Sequence, residues 1–238
     1  MKQGYTFEIC APNIQSALAA QEAGAHRIEL CSALDAGGIT PSAGLIQAAV
    51  SALRIPVNVL IRPREGDFCY SDIELGIMLD DIDFCRRTGV NGVVLGALDP
   101  SGHLDLAKLA AMKEAAGNLE IAHHRAFDYC VDPGAALEQL IALGFQRVLS
   151  SGQANDAFEG RYLLQSLVNQ AKGRISIMPG AGIRRSNIHD IACISGAHEF
   201  HFTGKLKVNP GNSKLIQGLE ASYWQSDVAL IREIMEAA

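Results

Sequence analysis

Short β-rich runs alternate with amphipathic helical patterns along the chain, and this alternation constrains the fold more than any other sequence feature. Eight runs have the length and residue types of strands. They occupy residues 5–9, 27–30, 57–61, 92–95, 120–123, 147–149, 175–178 and 199–202. Eight strand–helix units in 238 residues predict an α/β protein with a (β/α)8 or TIM-barrel fold, forming a single domain over residues 1–238.

Local signals support this order of elements. Predicted helices occupy residues 14–23, 43–53, 73–88, 106–116, 135–143, 162–171 and 188–194, and a last helix occupies residues 228–236. Ser71 and Asp132 supply capping oxygens at the start of two helices, and Gly24 and Gly144 stand where two helices end. The segment 204–226 is rich in Gly, Asn and Lys, and it predicts an irregular loop after the eighth strand.

Charge and cysteine usage narrow the function classes. A net charge of -6 and a pI near 5.6 argue against nucleic-acid binding. The six cysteines form no CxxC pair, as expected for reduced thiols in a cytosol. The first strand follows the amino terminus closely, and no apolar run approaches the ~20 residues of a membrane span. We therefore expect a cytoplasmic protein that binds a small ligand, neither a nucleic acid nor a membrane.

A Glu-Ile-Cys triplet at residues 8–10 is repeated as Glu-Leu-Cys at residues 29–31, with one predicted helix between the two copies. Residues two apart on a strand face the same side, so neighbouring parallel strands would bring two carboxylates and two thiols together. One interpretation is a ligand or metal site. The other is that Cys10 and Cys31 are small core residues, because free cysteines are usually buried.

Polar residues follow most of the predicted strands, and the functional residues of this barrel class lie at the carboxyl ends of its strands. The candidates are Glu8, Cys10, Glu29, Cys31, Arg62, Arg64, His124, Arg125, Asp128, Ser151, Gln153, Gly180, Gly182 and His201. Because buried charges must be paired or meet a ligand, Glu8 and Glu29 need cationic partners. The expected partners are Arg62, Arg64 and Arg125.

Two interpretations of this face remain open. A closed ring of ion pairs would plug the barrel mouth and have only a structural role. Alternatively, His124 and His201, which ordinarily titrate near neutral pH, act with carboxylates in proton transfer on an anionic substrate.

The second interpretation describes a lyase, isomerase or hydrolase of a small anionic or phosphorylated metabolite. Its catalytic residues would be Glu8, Glu29, His124 and Asp128. Its anion-binding residues would be Arg62, Arg64, Arg125, Ser151, Gln153, Gly180, Gly182 and His201. The two glycines would bind phosphate through backbone N–H groups.

Several motifs resemble, in order and spacing, those of the CutC family of copper homeostasis proteins. They are residues 8–10, 24–31, Gly-Gly-Ile-Thr-Pro-Ser at 37–42, Ile-Arg-Pro-Arg-Glu-Gly-Asp-Phe at 61–68, His-Arg-Ala-Phe-Asp at 124–128 and Ser-Gly-Gln at 151–153. The resemblance extends over nearly the whole chain up to Thr203. The sequence departs from the family pattern at His26, His123, Ala181 and residues 201–203.

The resemblance implies a cytosolic TIM-barrel protein that binds Cu(I), takes part in copper tolerance or trafficking, and forms a homo-oligomer, either a dimer or a tetramer. It also implies Cys10 and Cys31 as the copper ligands, with His201 as a third. Cu(I) is soft and prefers thiolates, and sulfurs on strands about 4.8 Å apart can share one ion. Arginines around such a site would oppose a cation, so the enzyme hypothesis stands beside the copper hypothesis.

Overall fold

The barrel predicted from the alternation is present in the computed structural model, which describes residues 4–209 and 222–238. Eight parallel strands form one sheet in the order β7-β6-β5-β4-β3-β2-β1-β8. The strands are β1 Thr6–Ala11, β2 Arg27–Leu30, β3 Val57–Leu60, β4 Gly92–Leu95, β5 Glu120–His123, β6 Arg147–Ser150, β7 Ser176–Pro179 and β8 Glu199–Phe202. A bridge between Gly180 and His201 joins the two sheet edges, so the (β/α)8 fold class is confirmed.

Helices follow the strands at the predicted places. They are α1 Ile14–Ala23, α2 Ala43–Ala52, α3 Asp72–Thr88, α4 Leu106–Ala116, α5 Pro133–Leu143, α6 Arg161–Ala171, α7 Ile188–Ser195 and α8 Val228–Glu236. Short 3-10 helices lie at Leu34–Ala36 and Arg125–Tyr129. Ser71 and Glu74 form a capping box at α3, and the Asp132 side chain caps α5. None of the helices in the described part of the chain combines the length and apolar character needed to span a bilayer.

The prediction of an irregular loop after β8 is wrong at both ends of that segment. Strand β9, Lys205–Val208, pairs antiparallel with β10, Tyr223–Ser226. The rest of the predicted loop, residues 210–221, lies outside the described residues. Strand β10 is fixed to the barrel, because the Trp224 carbonyl accepts from Asn13 and its indole Nε1 donates to Asp35 over 2.5 Å.

The two faces of the sheet have different chemistry. Phe7 and Ile9 of β1 belong to the apolar core that packs against the helices. Glu8 and Cys10, which alternate with them, point into the barrel. The interior therefore holds buried charges around Glu8 and, one layer nearer the carboxyl ends, a small apolar cluster. That cluster consists of Cys10, Cys31, Leu60, Val94 and Ala122, with Leu34 packed against it.

Candidate functional site

The twin triplets meet inside the barrel, as the strand alternation predicts. Cys10 lies beside Glu29 in the β1–β2 register. The Sγ atoms of Cys10 and Cys31 are 3.5 Å apart, and Cys10 Sγ lies 3.9 Å from Glu29 Oε1. All of these side chains are buried. The thiols pack in an apolar cluster and also face the Glu29 carboxyl group.

Glu8 has different partners from those predicted. Its carboxylate accepts hydrogen bonds from Arg27 Nε at 2.6 Å and Asn58 Nδ2 at 3.1 Å. The ring Nδ1 of His201 lies 2.8 Å from the other oxygen. Burial alone would raise the pKa of Glu8, but the His201 hydrogen bond and the Arg27 charge together hold it well below its ordinary value.

The expectation that Arg62, Arg64 or Arg125 would pair with Glu8 and Glu29 is therefore wrong. The physical reason is register: β1 and β2 align Glu8 with Arg27, whose guanidinium is already inside the barrel. Arg27 also binds Glu199, so one buried cation serves two carboxylates.

Glu29 pairs with no arginine among residues 4–209 and 222–238. It is 4% exposed, and among the described residues nothing forms a hydrogen bond with its Oε2. Burial raises its pKa to about 7, with nearby Glu8 adding to the rise and His201 opposing it. Glu29 is therefore a buried carboxyl poised between its two protonation states near neutral pH.

His201 connects the two carboxylates. Burial disfavours its cationic form, yet the charge of Glu29 and the contacts with Cys10 and Glu8 together raise its pKa well above the ordinary value. One ligand atom from each of Cys10, Glu29 and His201 lies within 4.8 Å of the others, which is a spacing that one metal ion can bridge.

The thiol pair fits a soft metal ion with more than two ligands. With metal–sulfur bonds of about 2.3 Å, a linear two-thiolate site would separate the sulfurs by about 4.6 Å. The separation of 3.5 Å instead matches a bent pair that leaves room for a third ligand. Hydrogen bonding to Cys31 and burial raise the pKa of the Cys10 thiol well above its ordinary value, so binding a metal would release its proton.

A cavity of about 740 Å³ opens above these groups at the carboxyl ends of the strands. Half of the fourteen predicted site residues line it: Cys10, Glu29, Arg62, His124, Arg125, Gly182 and His201. Glu8 and Cys31 lie beneath the lining in contact with it. The predicted residues away from the lining are Arg64, Asp128, Ser151, Gln153 and Gly180.

Arg62 lines the cavity without a carboxylate partner among the described residues. Its guanidinium donates to the carbonyl oxygens of Ala36, Gly38 and Gly66 at 2.8 to 2.9 Å and stacks on Phe68. Arg64 points elsewhere, because Asp67 and Glu74 pair with it outside the barrel mouth.

Asp128, a predicted catalytic residue, organises the loop after β6. It accepts from Arg125 Nε at 2.8 Å and from the hydroxyl and amide of Ser151 at 3.0 Å. The Gln153 side chain donates to the Cys130 carbonyl at 2.5 Å. These residues form one network beside the cavity, and it holds Arg125 at the rim.

The sequence analysis expected His124 and His201 to titrate near neutral pH, but the pKa of each is shifted away from that range. Burial, the neighbouring His123 and the Arg62 charge lower the pKa of His124 well below its ordinary value. Its Nδ1 instead accepts from the Ala126 amide and caps the 3-10 helix. His124 is therefore neutral at physiological pH, because a second positive charge beside Arg62 would be costly in this buried position.

The turn after β7 offers fewer free backbone N–H groups to a phosphate than the sequence predicted. The Gly180 amide donates to the Ser150 carbonyl, so it cannot serve a ligand. Packing explains both glycines, because a Cβ at Gly180 would lie 2.4 Å from the Leu149 side chain and one at Gly182 would lie 2.7 Å from Asp156.

Sequence reasoning missed several residues of this site. They are Arg27, Asn58, Arg184, Arg185, Lys205 and Trp224. Arg27 carries a usable signal, because it precedes Glu29 by two positions and so shares its face. Lys205 and Trp224 carry no such signal, because they lie on β9 and β10, which the sequence did not predict.

The fold and the cluster define a class: a TIM-barrel protein with thiols, carboxyls and an imidazole below a cavity at the carboxyl ends of its strands. The model of the CutC family matches residues 5–206. The chain therefore belongs to the CutC family.

Relatives agree with this assignment. A family protein CutC from Xylella fastidiosa (strain Temecula1 / ATCC 700964) is 44% identical over 232 residues, covering 96% of this chain and 87% of the relative. One from Xanthomonas axonopodis pv. citri (strain 306) is 45% identical over 234 residues, covering 97% and 98%.

Solved structures agree as well. The crystal structure of a CutC protein from Streptococcus agalactiae, described as a candidate copper homeostasis protein, has a TM-score of 0.80 and 36% identity, covering 84% of this chain and 98% of that one. A thiamine phosphate pyrophosphorylase from Pyrococcus furiosus shares the fold alone, with a TM-score of 0.61 and 15% identity, covering 98% of this chain and 94% of that one.

Proposed function

We propose that this CutC protein acts in copper homeostasis by binding Cu(I) between Cys10 and Cys31, with His201 as the third ligand. The observation that carries the proposal is the 3.5 Å separation of the two buried sulfurs. Thiolates are preferred ligands of Cu(I), and an imidazole is a compatible third. The description of the Streptococcus agalactiae relative supports the same role.

The surroundings supply the other requirements of such a site. His201 faces Glu8 through Nδ1, so Nε2 is the ring nitrogen left for a metal, and it must release its proton when the metal binds. Glu29 lies beside Cys10 and can accept the proton that the thiol must release. A buried thiol pair at the base of a cavity also shields Cu(I) from water.

A competition assay with a chromophoric Cu(I) chelator tests the proposal under anaerobic conditions. We expect the Cys10→Ser/Cys31→Ser variant, and the better-packing Cys10→Ala/Cys31→Ala variant, to bind Cu(I) at least ~100-fold more weakly than the wild type. Cys193→Ser is the matched control, because its exposed thiol lies 3.6 Å from His189 and could bind metal at the surface. Affinity lost in the control and kept in the double variants would contradict the proposal.

A second candidate function, a TIM-barrel lyase, isomerase or hydrolase, is favoured by one observation. The unpartnered oxygen of Glu29 lies at the base of a cavity large enough for a metabolite. In this proposal Glu29 moves a proton and His201 stabilises negative charge on the substrate. Incubation with phosphorylated metabolites in deuterium oxide tests it: label or product should appear with the wild type and not with Glu29→Gln.

We also propose a cytoplasmic homo-oligomer. Six cysteines remain free, as a reducing compartment allows. Four apolar side chains are exposed near the amino end of α3 and after β5, namely Ile73, Ile77, Tyr129 and Val131. Such surfaces favour association between subunits. Analytical ultracentrifugation of the wild type and of Ile73→Lys/Val131→Lys tests this, with dissociation expected in the variant and an unchanged mass contradicting it.

A further inference from the structure

The cavity above the thiol pair is larger and more basic than a copper ion requires. Its volume of about 740 Å³ is typical of sites for small organic molecules. Five cationic side chains line it: Arg62, Arg125, Arg184, Arg185 and Lys205. Two carboxyls, Glu29 and Glu233, line it as well. The chain as a whole carries a net charge of -6, whereas more cationic than anionic side chains line this cavity. The cavity therefore attracts anions.

Arg62 provides a buried positive charge that pairs with no carboxylate in the described part of the chain. It is 6% exposed, its guanidinium donates to three carbonyl oxygens and stacks on Phe68, and its Nε has no partner among the described residues. A buried guanidinium without a carboxylate is costly, and an anionic ligand in the cavity would offset that cost. Arg125, in contrast, is already paired with Asp128.

The turn after β7 presents further donors to the same cavity. Arg184 and Arg185 are exposed and line it, and neither forms an ion pair with another described residue. Within the described ranges, no group accepts a hydrogen bond from the backbone amides of residues 181–183. Lys205 reaches the cavity from β9, where its Nζ lies 4.1 Å from the Trp224 ring centroid.

We propose that this cavity binds a small organic phosphate, whose phosphoryl group lies against Arg184, Arg185 and the amides of residues 181–183. The donors outnumber the two oxygens of a carboxylate and match the three oxygens and double charge of a phosphate monoester. Apolar walls face the rest of the ligand and fit an organic group: Leu60, Phe68, Leu149, Ile183 and Phe202. The reactive end of the ligand then points toward Glu29 and His201.

The phosphoryl group of this ligand would contact no thiol, so the inference goes beyond the copper proposal. A small organic phosphate is also the substrate class that the second candidate function would use. Any catalytic role of the phosphate site rests on that proposed function. Binding with no turnover would leave the phosphate site in place and remove only the proposed reaction.

Isothermal titration calorimetry on the metal-free, full-length protein tests the proposal with glycerol 3-phosphate, inorganic phosphate, succinate and glycerol as probes. We expect saturable binding of the two phosphates at a Kd of about 1 mM or tighter, weaker binding of succinate and none of glycerol. Arg184→Gln/Arg185→Gln should weaken phosphate binding at least ~10-fold.

The matched control is Arg86→Gln/Arg87→Gln, which removes another adjacent arginine pair, on α3 and outside the cavity lining. Equal weakening in the two arginine variants would mean a general charge effect and overturn the site. Succinate binding as tightly as glycerol 3-phosphate would overturn the phosphate assignment. Absence of saturable heat for both phosphates up to about 20 mM would overturn the proposal as a whole.

Discussion

Arg27 Nε lies 2.6 Å from Glu8 Oε2 inside the barrel, and the same guanidinium binds Glu199. Both members of the first pair are almost fully buried. Such a pair contributes little net stability over an apolar alternative, but removal of one partner leaves a charge buried without compensation. Arg27 therefore determines whether the polar interior of the barrel is tolerated.

Arg27→Met should destabilise the protein by about 3 to 5 kcal/mol, because Glu8 and Glu199 both lose the guanidinium that pairs with them and only Glu8 keeps a second partner, His201. Urea unfolding followed by circular dichroism gives the free energy of unfolding. Arg174→Met is the control, since it breaks an exposed pair with Glu138 and should change little. Equal effects of the two substitutions would show that the interior pair is not needed.

Glu29 should make the stability of the metal-free protein fall as pH rises. Its pKa is about 7 in the folded chain, against the ordinary value of 4.5 that applies to the unfolded chain. Folding therefore takes up a proton at pH values between these two. The free energy of unfolding then decreases through this window, by at most about 3 kcal/mol. Glu29→Gln should flatten the profile measured by urea unfolding at pH 5, 6, 7 and 8. A profile as steep as that of the wild type would contradict this account.

Glu8 should produce the opposite slope in acid. Its folded pKa lies well below the ordinary value, so its contribution is present above about pH 4.5 and is lost as pH falls further. Glu8→Gln should therefore lose most stability near neutral pH and converge on the wild type in strong acid. Unfolding curves at pH 3 and pH 7 provide the measurement, and a difference that grows toward pH 3 would refute the expectation.

Trp224 should report on ligands in the cavity, because it is the single tryptophan of the chain and lies in the cavity lining. An anion that draws Lys205 from the indole ring would change the emission. We expect a saturable change whose midpoint equals the calorimetric Kd, and a smaller amplitude in Lys205→Met. Lys113→Met on α4 serves as control. Calorimetric saturation with constant emission would place the ligand away from β9 and β10.

Gly160 should not tolerate a side chain. A Cβ there would lie 1.9 Å from the Ser151 carbonyl oxygen and 2.8 Å from Gly152 Cα, both backbone atoms. Gly160→Ala should cost about 2 kcal/mol or more and disturb the loop that holds Arg125 at the cavity. Gly44→Ala, inside α2 with no atom within 4 Å of its Cβ, should instead stabilise by about 0.5 to 1 kcal/mol. Thermal unfolding of both variants distinguishes the two outcomes.

The strand order, most element bounds and the meeting of the two triplets were predictable, because they depend on local periodicity. Residues 27–30 and 199–202 match their predicted strands at both ends. The partner of Glu8 was not predictable in the same way, because it depends on how β1 is staggered against β2. Period two alone places Arg27 and Glu29 on one face without saying which carboxylate each will meet.

Protonation states and the cavity rim were also beyond local pattern. His124 is neutral because of its burial and its neighbours Arg62 and His123, which come together only in the folded barrel. Arg184 and Arg185 look like ordinary surface residues in the sequence. Only the folded chain shows that they line the cavity together with Lys205 of β9 and Trp224 of β10. The sequence therefore indicated which strand ends carry functional residues. Which of these residues pair with one another became clear only from the tertiary structure.

The single bridge between Gly180 and His201 closes the barrel, whereas each of the other neighbouring strand pairs shares two to four registered residue pairs. Amide hydrogen exchange should consequently be fastest at this junction, because few hydrogen bonds must break for it to open. His201 belongs both to the junction and to the cluster around Cys10. A ligand that fixes His201 would therefore also stabilise the junction between β7 and β8. Ligand binding and the closure of the barrel are coupled through this one side chain.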